Sequence, residues 1–201
     1  MDTSSHESLP HSAGDKPAKR KVPRSLFVII IICLAGLYGY AAYGDKPAPE
    51  KTVQNFYQAY FNRDFDTVAQ NLSVFWSVRL LPEYASKTPA ELIQDRTQIE
   101  AEVSKVISEI EKENTLPEDI SVDVMKEYTK IGQNSALVVY SFKQKGEVTS
   151  MEAALLILEK GQFRIFNMSP VNQSTLEQVK GLDINVLDES FAALLAAPQA
   201  E

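Results

Sequence analysis

Three acidic residues fall in stretches that alternate like β-strands, Asp123, Glu127 and Glu152, and four tyrosines, Tyr57, Tyr60, Tyr128 and Tyr140, could serve beside them as proton donors. A carboxylate base with a phenolic donor is a working set for proton transfer. Alternation, however, sets Asp123 and Glu127 opposite the face of Ile120, Val122 and Val124, which turns them to solvent. Glu152 shares a face with Ala154, Leu156 and Leu158, so it is the one acid whose burial matters. A capped or ion-paired structural glutamate is the simpler reading even there. Glu100, Glu102, Glu109 and Glu111 mark the solvated face of a long helix rather than a metal site.

The other chemistry-bearing residue types are in the wrong places. Both histidines, His6 and His11, precede residue 25, and the lone cysteine, Cys33, lies in an apolar run. That leaves the main domain no imidazole base and no His/Cys metal-ligand spacing. No catalytic, metal-binding or cofactor-binding residue is assigned, and the domain is expected to be no enzyme and to need no cofactor. A binding role has more support. Phe56, Tyr60 and Trp76, with Glu152, could bound a pocket for a small apolar ligand, while Phe191, Leu194 and Leu195 could offer a docking stripe to a protein partner.

Location is the best-specified property. Ser25 to Tyr43 contains no charge, and nineteen residues at about 1.5 Å rise cover roughly 28 Å, enough for the hydrocarbon core of a bilayer. Residues 1–24 are polar and are expected to form a disordered tail. All five tail bases lie between Lys16 and Arg24, against the apolar run, so the N-terminus stays cytoplasmic and the C-terminal domain is exported to the outer face of the cell membrane. The long tail and the tyrosines at the end of the run favour an uncleaved single-pass anchor over a signal peptide. Five of the 20 bases and three of the 27 acids sit in that tail, leaving net −9 beyond it. A domain so acidic repels phosphate backbones, which argues against nucleic acid as a partner. The expected partners are the membrane and a protein, including a second copy of the chain through the Ala35/Gly39 small-residue spacing.

The elements that must position these residues follow from periodicity. A linker, residues 44–49, leads to a helix with Val53, Phe56, Tyr57, Tyr60 and Phe61 on one face. Asp64 caps a second, short helix, and Thr88-Pro89-Ala90-Glu91 starts a long helix running to about Asn114. Beyond Pro117 the period falls to two, and four strands joined by tight turns at Gly132, Lys145-Gly146 and Lys160-Gly161 predict an antiparallel meander with the Val148–Glu159 strand at its centre. Ser174 with Glu177 predicts a capping box for a helix in the tail, residues 172–201, and Asp188 opens a last segment.

Two stretches carry a resemblance. PEKTVQNFYQAYFNRDFDTVAQNLS resembles the opening helix pair of the nuclear-transport-factor-2-like superfamily, and ALLILEKGQFRIFNMSPV is similar to its closing hairpin. The likeness implies an α+β domain over residues 50–171, cone-shaped, with helices packed on a curved antiparallel sheet. It also implies a choice among that superfamily's uses, from envelope scaffolds to isomerases of the ketosteroid type.

Overall fold

The structure, a computed structural model, describes residues 48–196, so the tail, the apolar run and nearly all of the linker lie outside it. Helix α1, Pro49–Phe61, begins with a proline in its first turn and buries Val53, Phe56, Tyr57 and Ala59. Asp64 accepts the Thr67 N–H at 3.1 Å and so caps α2, Phe65–Asn71. Ser73 caps the single turn of α3, Val74–Ser77.

The long helix expected from Thr88 is two. The Thr88/Glu91 capping box starts α4, Pro89–Gln94, as its sequence predicts. The chain then breaks at Asp95, whose N–H closes α4 on the Glu91 carbonyl and whose own carbonyl opens α5, Arg96–Ile110. The break has a cause in packing: it brings Arg96 inward, where its guanidinium pairs with Glu159, 63 residues away.

The sheet contains β1, Ile120–Val124; β2, Lys130–Ile131; β3, Ser135–Gln144; β4, Glu147–Glu159; and β5, Gln162–Pro170. A 3-10 turn at Lys126–Tyr128 divides the first expected strand, and both its halves, β1 and β2, pair antiparallel with β3. The order β1-β3-β4-β5 makes β4 central, as its two-sided apolar pattern predicts. Both hairpins turn through residues in left-handed backbone, Lys145 and Gly146 at φ 53° and 86°, Lys160 and Gly161 at φ 48° and 80°.

The α+β class holds, but the cone does not. The sheet is open, with β1 and β5 as its two edges, and is neither closed nor strongly curled. Its burial is achieved differently. One face carries the main core, in which Val53, Ile99 and Val103 meet Val138, Tyr140, Ala154 and Leu156. The other face has a smaller core of Leu137, Val139, Val171, Leu176 and Val179, with Ile184 against it. A sheet covered on both faces buries its apolar rows without wrapping around a helix.

That second cover is the C-terminal part of the chain. Helix α6, Gln173–Gly181, is capped by Asn172, which accepts the Thr175 N–H at 3.0 Å, and not by Ser174 as expected. Helix α7, Ile184–Leu195, starts at Asp183, so Asp188 is mid-helix. Its carboxylate accepts hydrogen bonds from Gln133 N–H, Asn134 N–H and the Ser135 hydroxyl, at 2.7, 3.0 and 2.6 Å, and fastens α7 to the β2–β3 turn.

Candidate functional site

The residues singled out for chemistry divide into three groups. Tyr57 from α1, Tyr140 from β3 and Glu152 from β4 converge. The two hydroxyls lie 2.9 Å apart, and both reach the same carboxylate oxygen, Glu152 Oε2, at 3.1 and 2.8 Å. Tyr140 is fully buried and Tyr57 nearly so, with the rings packed 5.2 Å apart and Phe142 against both. Burial pushes both phenols well above the ordinary tyrosine value; the Tyr140 hydrogen bond works the other way on Tyr57, and the charge of Glu152 adds to the rise on each. They are fixed donors tied to one carboxylate, that of Glu152, which is itself half-buried at the edge of the helix–sheet core. Cross-strand register explains the meeting, since Tyr140 and Glu152 are direct partners on β3 and β4.

Asp123, Glu127 and Tyr128 do not join this group. Asp123 is exposed and pairs with Lys143 at 2.7 Å, Glu127 is exposed on the 3-10 turn, and Tyr128 packs with the second core under the Lys180 ammonium. Among the described residues no cluster of three or more His, Cys, Asp or Glu could hold a metal ion.

The third group forms a cleft. Phe56 and Tyr60 on α1, Val68 and Leu72 on and just after α2, Trp76 and Leu80 on and after α3, and Ile107 and Ile110 on α5 enclose about 220 Å³, with Glu111 at the rim. Phe56 and Tyr60 stack nearly parallel, with ring centres 6.5 Å apart, and so present one continuous aromatic wall. Val68 and Leu72 are 1% exposed, whereas Ile110 is 57% exposed at the mouth. Arg63 holds the cleft's end in place by donating to the carbonyls of Glu111 and Asn114. Burial first, and then the neighbouring Glu111 carboxylate, raise the Tyr60 phenol to about 12, so it remains a hydrogen-bond donor at the rim.

Three of the four expected pocket residues, Phe56, Tyr60 and Trp76, therefore share this cleft, while Glu152 is not part of its lining. The expected docking stripe is largely spent inside the chain. Phe191 is 6% exposed and packs on Phe166 at 4.9 Å, and Leu194 and Leu195 are half-buried.

Sequence reasoning missed the Arg96–Glu159 pair. Glu159 is 2% exposed, accepts the Ser73 hydroxyl at 2.5 Å and binds the Arg96 guanidinium, which also reaches Glu100 at 2.6 Å. Ser73 arrives there because its N–H bonds the Ile165 carbonyl, continuing the β5 edge into the helical layer.

No family model, curated protein or solved structure matches this chain. With its sheet open rather than curled, the domain lacks the cone of the nuclear-transport-factor-2-like superfamily that the sequence resembles, and its class is α+β.

Proposed function

We propose that this chain is a membrane-anchored, extracytoplasmic binding domain that carries out no reaction and uses the cleft between α1, α2, α3 and α5 to seat an apolar side chain of a protein partner. The observation that carries the reading is the cleft's size and lining. At about 220 Å³ it falls below the roughly 300–1,000 Å³ of small-molecule sites and suits one or two anchor side chains of an interface hot spot. The Tyr57–Tyr140–Glu152 group supports the non-enzymatic part. Its two hydroxyls are committed to each other and to one oxygen of the half-buried Glu152, where they tie α1 to the sheet. The anchor rests on the uncharged run Ser25 to Tyr43 and its basic flank. Among the described residues no helix is long and apolar enough to cross a membrane, and that run lies outside them.

The test is a photo-crosslinking amino acid placed at Leu80, in the cleft, and separately at Lys145, on the β3–β4 hairpin tip, in native membranes. A protein adduct from Leu80 and none from Lys145 is expected. A lipid or small molecule attached at Leu80 would instead make the cleft a ligand site, and equal adducts at both positions would remove the cleft from the reading. Protease added outside intact cells should cut beyond Gly44 and spare the tail; the reverse pattern would overturn the topology.

A further inference from the structure

The cleft's lining contains one charged residue, Glu111, and it sits where an incoming segment would cross the rim. Its carboxylate accepts the Asn114 side-chain amide at 3.1 Å and faces the Tyr60 hydroxyl, but among the described residues no lysine or arginine forms an ion pair with it. Arg63 spends its guanidinium on the backbone carbonyls of Glu111 and Asn114, and Lys112 pairs with Glu109. Three aromatic side chains, Phe56, Tyr60 and Trp76, line the same cleft, and the negative faces of aromatic rings attract cations. The chain beyond its tail is net −9, which draws a basic partner from a distance.

We infer that the cleft takes a cationic protein segment, one that places an aromatic or leucine-sized anchor against Phe56, Tyr60 and Trp76 and a lysine or arginine against Glu111. This rests on the reading of the cleft as a partner site and adds the partner's chemistry to it. The apolar wall supplies the affinity. The carboxylate selects among apolar anchors by penalising those with a negative neighbour and rewarding those with a positive one.

The inference is tested with three matched probes that share a phenyl anchor: phenethylamine, phenethyl alcohol and phenylacetate. Each is titrated against the full chain in nanodiscs of zwitterionic lipid, with the fluorescence of Trp76, the protein's single tryptophan, as the readout. Phenethylamine is expected to bind about two- to fivefold tighter than the alcohol, the range for a solvent-reachable ion pair, with phenylacetate weakest. Glu111→Gln should bring the three probes together, and Glu111→Lys should invert their order. Equal binding of all three to the unmodified chain would overturn the cationic partner while leaving the apolar cleft standing. No response of Trp76 to any probe would mean the cleft admits no anchor, and both readings would fall. A preference for the amine that survives in Glu111→Gln would likewise overturn the role given to Glu111.

Discussion

Removing Arg96 should cost the fold far more than neutralising its partner, although both changes break the same contact. The Glu159 side chain is fully buried and that of Arg96 is 11% exposed. Without Arg96, Glu159 keeps only the Ser73 hydroxyl, a single neutral hydrogen bond for a buried charge. Stranding one member of a buried pair costs about 3–5 kcal/mol. Arg96→Met preserves much of the side chain's apolar volume and should fall toward the lower end, because the positive charge that helps depress the neighbouring Arg164, after burial itself, is also lost. Glu159→Gln is the milder change. The glutamine still accepts from Ser73, and Arg96 retains Glu100 in the next turn of its own helix, so a loss of about 1–2 kcal/mol is expected. Combining Arg96→Met with Glu159→Leu removes both charges, and replacing a whole buried pair with apolar residues is often near neutral. The double variant should therefore be more stable than Arg96→Met alone. Urea unfolding followed through Trp76 fluorescence measures all three. Equal losses for the two single changes, or a double variant less stable than Arg96→Met, would refute the account of Glu159 as a buried charge held by Arg96.

The hold on α7 and the buried tyrosines can be tested in the same way. Asp188→Asn should release α7 from the β2–β3 turn, read as faster amide exchange over Ile184–Leu195 with the main core unchanged. Burial alone would raise the pKa of Asp188, but the hydrogen bonds from Ser135, Gln133 and Asn134 outweigh it and hold it below the usual carboxylate value. The fastening is therefore present above the unfolded pKa and lost as pH falls through the folded one, so acid should produce the same loosening; exchange that is insensitive to acid would contradict it. Gly132→Ala should loosen the same helix by about 1–3 kcal/mol, because a Cβ there would lie 2.2 Å from Asp188 Oδ2. The tyrosines work in the opposite pH direction. Tyr57 and Tyr140 have folded pKa values raised above the ordinary 10.0, so their contribution is complete below that pH and declines above it as the unfolded chain begins to lose the protons. A spectrophotometric titration should show these two phenols ionising only with unfolding, and Tyr140→Phe should remove one of them from that late step.

What the sequence discloses and what it hides divide along the range of the interaction. Caps and turns are short-range, and Asp64, Thr88 with Glu91, and the Lys-Gly pairs at 145 and 160 each act within four residues, so their chemistry is visible in the order of residues alone. Strand alternation carries a little further. It singles out Glu152 over Asp123, and cross-strand register then delivers Tyr140 to it. Phe56, Tyr60 and Trp76 were also legible as a group, because helical spacing puts the first two on one face and the third is the chain's single tryptophan, set in an apolar run. Glu159 is the contrary case. Alternation sets it on the face opposite Leu156 and Leu158, and nothing local links it to a residue 63 positions earlier at the break between α4 and α5. Its burial depends on two departures from regular pattern, the Asp95 break that turns Arg96 inward and the passage of Ser73 along the β5 edge, each of which brings a partner to the same carboxylate. The sheet's openness has the same origin. Period-two strands specify pairing but not curl, and whether a sheet wraps is decided by what covers its second face. Here that cover is α6 and α7, packed on the second core and tied down both by Lys130, which donates to the Lys180 and Leu182 carbonyls, and by a mid-helix aspartate whose three hydrogen-bond donors come from a turn more than fifty residues away in the chain.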